Sequence, residues 1–120
     1  MRRASARLVV LVALTASTSS AGEPRATAVE LFTHGRTLAA AGRCAEAVPF
    51  FLDTLKIEPS IGALLNLAAC REKLGDRAAA YDAYRRAEAL AHAQSDDREA
   101  LARTRAEAMS ASLPKIAVVA

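Results

Sequence analysis

The side chains suited to catalysis or metal binding are few and scattered. The chain has two histidines, and His34 and His92 lie far apart, without further ligands at the close spacing that a zinc site needs. It contains no glycine-rich phosphate loop, no G-x-S-x-G, no C-x-x-C and no H-E-x-x-H. The adjacent Asp96 and Asp97 stand at a predicted helix start, where the helix dipole favours acids. The sequence therefore predicts a protein that is not an enzyme and uses no metal or cofactor.

The first 21 residues have the three parts of a secretory signal peptide. Three arginines precede or flank an apolar run over residues 8–16, and residues 19–21 offer a small-residue cleavage site. A helix of that length spans roughly 14 Å, about half of the hydrocarbon core, which is too short for a transmembrane anchor. No cysteine lies directly after the run, so a lipoprotein is not expected. We expect cleavage after residue 21 and export to the periplasm or cell envelope of a Gram-negative-type bacterium, or secretion.

The formal net charge of +3 comes from this N-terminal segment. The chain has 16 basic and 13 acidic residues, and the first 21 residues carry three arginines and no acid. The remaining chain has 13 residues of each sign, so its charge gives no support for nucleic-acid binding. A mixed-sign helical surface with many ion pairs is expected instead.

Composition and periodicity predict helices over most of the remaining chain. The sequence has 30 alanines and no tryptophan, and alanine, leucine, arginine and glutamate all favour helix. Apolar residues recur at helical spacing in segments separated by glycine, proline and short polar side chains. A linker over 22–26 and a strand-like tail over 114–120 flank these segments. The predicted helices cover residues 28–41, 44–57, 61–74, 77–91 and 97–112.

The predicted helix ends rest on capping residues. Thr27 with Glu30, and the segment 96–99, have the spacing of a capping box. The other boundaries are set by left-handed glycine caps and polar N-caps, namely Gly42, Gly75, Ser60 and Asp76. The apolar stripe of the first helix is expected to comprise Leu31, His34, Gly35 and Leu38, with His34 in the core as a hydrogen-bonded histidine. The last helix is expected to present Leu101, Ala108 and Met109.

The chain is similar to itself at an offset of 33 residues. The recurring positions are a leucine of the first helix, the turn glycine, a small residue of the second helix and the aromatic residue one turn later. A fixed period of this length with two helices per unit is typical of helical solenoids. The equivalent pairs are Leu31 with Leu64, Gly42 with Gly75, Ala47 with Ala80, and Phe51 with Tyr84.

These residues resemble the tetratricopeptide repeat. Its order of large apolar residue, small residue, turn glycine, alanine and aromatic fits residues 28–61 and again 61–93. Residues 41–76 and 113–120 also look like secreted bacterial tetratricopeptide proteins, some of which continue into a PEGA-type β-domain. The resemblance implies an all-α fold over residues 27–113, a right-handed α-α superhelix of two helix pairs with a C-terminal capping helix.

The resemblance also implies a binding surface, because ligands of the family contact exposed positions on the first helix of each repeat, along the concave side. Asn66 matches an asparagine that holds the backbone of an extended peptide in some members. Arg36 and Lys73 offer charge-assisted contacts to carboxylates. A hydrogen bond of Asn66 within its own repeat, and plain solvation of the two cations, are the open alternatives. The implied positions are Val29, Phe32, Arg36, Ala40, Leu65, Asn66, Ala69 and Lys73.

In an exported protein the two cysteines can form a disulfide or remain as free thiols. Cys44 begins a predicted helix and Cys70 lies late in the next one, and stacking of the helix pairs brings both toward the same end of the array. This placement permits a disulfide in an oxidising compartment. The alternative is two buried small apolar side chains.

Together these features predict an exported, non-catalytic interaction module that binds a protein or peptide partner on its concave face. The alternative is a structural or oligomer-forming spacer of a cell-envelope assembly, or the remnant of a longer repeat protein. Two repeats are few for a stable array. Homodimerisation, docking on a partner and an incomplete chain all remain open.

Overall fold

The computed structural model describes residues 4–6, 8–13 and 23–114. Its described part is all-α, with five helices and no strand between residues 23 and 114. The expected cleavage site at residues 19–21 and the last six residues of the expected strand-like tail lie outside the described residues. The helices are α1 (Glu23–Ala40), α2 (Cys44–Ile57), α3 (Ile61–Lys73), α4 (Arg77–Ala93) and α5 (Glu99–Ala111).

The helices form a sequential stack in which each one packs on the next along the chain, and α1 also contacts α3. Local capping sets most of the boundaries, as predicted. The Ser60 hydroxyl accepts a hydrogen bond from the Ala63 N–H at 3.0 Å, and the Asp76 carboxylate accepts one from the Ala79 N–H at 3.2 Å. The turns after α1 and α3 need glycine, because Gly42 and Gly75 have φ values of +76° and +82°.

Both predicted capping boxes are wrong. Helix α1 begins at Glu23, so residues 23–26 of the expected linker are helical and Thr27 lies inside the first helix. Proline at position 24 is compatible with this start, because an amide in the first turn has no partner within the helix. Helix α5 begins at Glu99, and the Asp96 carboxylate binds the backbone N–H and guanidinium of Arg98, each at 2.9 Å.

The core repeats itself across the two helical hairpins. Ala47 and Ala80 are fully buried at equivalent places, and the aromatic residues Phe51 and Tyr84 are 0% and 4% exposed. The close approach of α1 to α2 depends on Gly35. A Cβ atom at that position would lie 2.7 Å from the Phe51 ring, so only glycine admits this packing without a shift.

The prediction of His34 as a core residue is wrong. Gly35, one position further along α1, faces the core, and one residue corresponds to a rotation of about 100° around the helix axis. The His34 ring is therefore exposed and stacks on Phe50, with ring centroids 4.3 Å apart and an interplanar angle of 8°.

The buried stripe of α5 also differs from the prediction. Ala102 and Ala106 are fully buried and Met109 is 7% exposed, whereas Leu101 is 48% exposed and Ala108 is exposed. The two small alanines let α5 approach α4 closely, and the larger leucine lies beside the contact. Only Met109 of the expected stripe is in the core.

A disulfide joins Cys44, the first residue of α2, to Cys70 near the end of α3, with their Cα atoms 5.0 Å apart. Both residues are buried in the same core cluster as Phe51 and Tyr84. The bond therefore ties the two hairpins together from within. No helix among the described residues combines the length and the apolarity that crossing a bilayer requires.

Candidate functional site

A groove runs along α1 and α3, and it contains most of the binding residues predicted from sequence. Its first part, the α1–α3 cavity, has a volume of about 480 Å³. Phe32 and Arg36 of α1 face Leu65 and Asn66 of α3 across it. The remaining lining comes from the turn before α3, the start of α3, and the segment between α4 and α5, namely Glu58, Pro59, Ser60, Ile61, Gly62, Gln94 and Arg98.

The Phe32 ring forms one wall of this cavity because the second residue of α3 is a glycine. A Cβ atom on Gly62 would lie 3.0 Å from the ring, so the ring rests directly on the backbone of α3. On its other side it packs on Phe51, with centroids 6.0 Å apart and a 55° tilt. The Arg36 guanidinium lies 5.7 Å from the Phe32 ring centroid, which is within cation–π range.

The Asn66 side chain has one hydrogen-bonded group and one free acceptor. Its amide Nδ2 donates a hydrogen bond to the Gly62 carbonyl at 2.8 Å, so the expected alternative of a bond within its own repeat is present. Its Oδ1 accepts no hydrogen bond from any residue that the structure describes. The fixed amide thus holds an acceptor oriented in the cavity lining, where the N–H of a bound peptide backbone is a suitable donor.

The groove continues into a second space, the α3–α5 cavity, with a volume of about 340 Å³. Leu65 lines both cavities and connects them. Ala69 and Lys73 are the last two predicted site residues, and they line the second cavity. Two residues of α5 that the repeat pattern does not select, Leu101 and Arg105, line it with them. Its complete lining is Leu65, Ala69, Glu72, Lys73, Tyr84, Leu101 and Arg105.

Tyr84 and Glu72 form the floor of the α3–α5 cavity. The Tyr84 hydroxyl donates a hydrogen bond to a Glu72 carboxylate oxygen at 3.0 Å. Burial, together with this bond to a carboxylate, raises the pKa of the Tyr84 hydroxyl to about 12. Glu72 is therefore held by a neutral donor at the bottom of the site.

The groove holds cations that lack an acidic partner. Arg36, Lys73 and Arg105 form no ion pair with any carboxylate in the described part of the chain. Arg98 at the edge of the first cavity is different, because its guanidinium binds Asp96 and holds the pKa of that carboxyl well below its usual range. The unpaired cations lie mainly toward the α3–α5 end of the groove.

The two remaining sequence-derived positions lie outside the main groove. Val29 lines a separate shallow hollow on α1 beside Glu30 and His34 and is 56% exposed. Ala40 lines another hollow on α1 that it shares with Arg36. The structure thus brings six of the eight implied positions into one groove.

Among the described residues, no group of three histidine, cysteine or acidic side chains is placed to hold a metal ion. The two histidines have separate neighbours, since His34 stacks on Phe50 and the His92 Nδ1 lies 3.0 Å from a Glu99 carboxylate oxygen. The chemistry that the groove offers is hydrogen bonding, charge and apolar contact.

Comparison with known proteins gives no match for this chain among protein-family models, curated proteins or solved structures. The resemblance to the tetratricopeptide repeat therefore stays a prediction from its residues.

Proposed function

We propose that the protein is an exported, non-catalytic interaction module that holds an extended segment of a partner protein in the groove along α1 and α3. The observation that carries the proposal is the assembly of one groove from residues that the repeat pattern selects on two separate helices. Phe32 and Arg36 come from the first hairpin, and Leu65 and Asn66 come from the second. Their convergence gives apolar walls, one oriented acceptor and cationic edges.

An extended peptide suits this lining better than a compact small molecule. The groove is open, and it continues from one cavity into the next past Leu65. A peptide backbone offers N–H donors at regular spacing, and Asn66 Oδ1 is a free acceptor beside an apolar wall formed by Phe32. Recognition of this kind takes affinity from the backbone and specificity from the flanking side chains.

The packing supports a finer proposal, that the stack is a right-handed superhelix of tetratricopeptide-like repeats. Equivalent positions have equivalent roles in the two hairpins, including the turn glycines and the fully buried Ala47 and Ala80. Helix α1 also contacts α3, as expected when the first helices of successive repeats lie side by side along one surface. In this arrangement α5 covers the end of the second hairpin.

Export is the second part of the proposal, and it rests on the N-terminal apolar run. The large side chains of residues 8–12 are between 69% and 88% exposed. An apolar run that does not contribute to the core is typical of a segment that a translocation machinery recognises. Expression of the full chain with a secretion-competent host is expected to yield a product that begins at Gly22, and intact-mass measurement checks this. A product that retains residues 8–16 contradicts the export proposal.

Peptide selection tests the groove. A random peptide library displayed on phage is selected on the immobilised chain without residues 1–21, and the enriched peptides are synthesised for affinity measurement. We expect the Arg36→Ala/Asn66→Ala variant to bind them at least tenfold more weakly, because it removes the free cation and the oriented acceptor.

The matched control is Arg86→Ala, which removes an exposed arginine that lines a hollow between α2 and α4 on another face. This variant is expected to bind like the unmodified chain. Equal binding by the groove variant contradicts the site. If the protein selects no peptide and instead forms dimers that both variants preserve, the structural-spacer alternative replaces the proposal.

A further inference from the structure

The α3–α5 cavity is lined by two cations that lack an ion pair, whereas the α1–α3 cavity and the hollow between α2 and α4 each have one, Arg36 and Arg86. Lys73 and Arg105 line it without forming an ion pair with any described carboxylate. Several arginines elsewhere form ion pairs, as where Arg103 bridges Glu88 and Glu99 at 3.1 and 2.9 Å. The chain beyond residue 21 has equal numbers of acidic and basic residues, so the excess of cations in this cavity results from where the fold places them.

The one acid in this cavity does not neutralise the two cations by contact. The Glu72 carboxylate accepts its hydrogen bond from the buried Tyr84 hydroxyl, on the floor of the cavity. Lys73 is exposed in the last turn of α3, and Arg105 is exposed on α5. The two cations thus converge from different helices on a space whose own acid is already engaged.

Beside the cations lies apolar surface that is only partly covered. Leu65 and Ala69 of α3 are half-buried, and Leu101 of α5 is 48% exposed. An exposed leucine that lines a cavity together with a second leucine is a suitable contact for one apolar side chain. The cavity thus combines one apolar surface with two adjacent positive charges.

We propose that the α3–α5 cavity is a subsite for an acidic side chain of the bound peptide, contacted by Lys73 and Arg105, with an adjacent apolar side chain on Leu65 and Leu101. The proposal rests on the peptide-binding function proposed above and names the kind of segment that the groove selects. It extends the site to α5, whose residues the repeat pattern did not assign. Charge complementarity is the argument for the occupant, because a carboxylate gives the two cations the partner that the described residues do not supply.

Fluorescence anisotropy with defined probes tests the subsite. The acidic probe is a fluorescein-labelled nine-residue peptide with two glutamates on each side of a central leucine. A second probe has glutamines at the same four places, and a third has lysines. Each is titrated with the chain without residues 1–21 at low and at physiological salt.

We expect the acidic probe to bind about tenfold more tightly than the glutamine probe, with a difference that shrinks as salt rises. The Lys73→Ala/Arg105→Ala variant should lose this preference. The Lys56→Ala/Arg86→Ala variant, which removes two cations from the hollow between α2 and α4, should keep it.

A charge-reversal variant distinguishes loss of the subsite from misfolding of the protein. The Lys73→Glu/Arg105→Glu variant should prefer the lysine probe over the acidic one, a gain that a disrupted fold does not produce. Circular dichroism of each variant confirms that the helical content is unchanged.

Three outcomes overturn the proposal. If both the acidic and the glutamine probe bind equally and Asn66→Ala weakens both, the groove binds peptides but the acidic subsite is wrong. If the acidic probe does not bind, the subsite is wrong irrespective of what the groove holds. If a single-stranded oligonucleotide displaces the acidic probe at lower concentration and depends on the same two cations, the site is one for phosphate chains.

Discussion

Reduction of the Cys44–Cys70 disulfide is expected to remove a large part of the stability of this small domain. The two cysteines are separated by 26 positions in the sequence, and closing a loop of that length in the unfolded chain accounts for about 3.5 kcal/mol in the chain-entropy treatment. A domain of this size is stable by about 5–10 kcal/mol in total. The cross-link is therefore expected to supply a third or more of the free energy of unfolding.

Urea unfolding followed by far-ultraviolet circular dichroism measures this contribution. The chain without residues 1–21 is unfolded with and without reductant, which changes the cross-link and leaves the packing of both sulfur atoms in place. With a denaturant dependence of about 1.5 kcal/mol per molar urea, reduction should lower the midpoint by about 2 M. The Cys44→Ala/Cys70→Ala variant should unfold at a low midpoint that reductant does not change.

Two results refute this reasoning. Titration of two free thiols in the denatured, unreduced protein shows that the bond is absent. A bond that is present but whose reduction changes the free energy of unfolding by less than 1 kcal/mol shows that the unfolded chain is already compact, so that closing the loop removes little freedom.

Three further predictions concern the core. Gly35→Ala should destabilise the fold by about 1–3 kcal/mol in urea unfolding, because the added methyl group meets the buried Phe51 ring at 2.7 Å; an unchanged midpoint contradicts the close approach. Ala102→Leu should cost about 1–3 kcal/mol while Leu101→Ala changes stability by less than about 1 kcal/mol, and the opposite order shows that α5 is rotated. In a variant that lacks the other tyrosine, ultraviolet titration should show the Tyr84 hydroxyl ionising at a pH of about 12. Since its folded pKa exceeds the ordinary value of 10.0, its contribution to stability is complete below about pH 10 and is lost as the pH rises toward 12. Ionisation near pH 10 without unfolding contradicts the burial of this hydroxyl and its hydrogen bond to the carboxylate.

The sequence by itself determined the secondary structure and most of its boundaries. Gly42 and Gly75 end helices because a left-handed turn needs glycine, and Ser60 and Asp76 begin helices because their side chains accept from amides three residues on. These effects act within one helical turn of the chain, so they can be predicted without a tertiary structure. The capping box expected at Thr27 is wrong because the preceding residues 23–26 are compatible with a helix and belong to α1.

The sequence also indicated much of the candidate site. The repeat pattern selected Phe32, Arg36, Leu65 and Asn66, and the structure places all four around one cavity. It did not select Leu101 or Arg105, because these residues belong to a helix outside the two repeats. Their part in the site depends on where α5 lies against α3, which no local pattern specifies.

Only the tertiary structure decided which residues at the edges of the α1 and α5 stripes are buried. In chains this rich in alanine, two neighbouring stripes on one helix are almost equally apolar, and a rotation of about 100° exchanges them. In α5 the exchange put Ala102 in the core in place of Leu101, and in α1 Gly35 faces the core as expected while the adjacent His34 is exposed. The neighbouring helix determines which stripe is buried, because close helix packing favours the smaller side chain in the contact and leaves the larger one beside it.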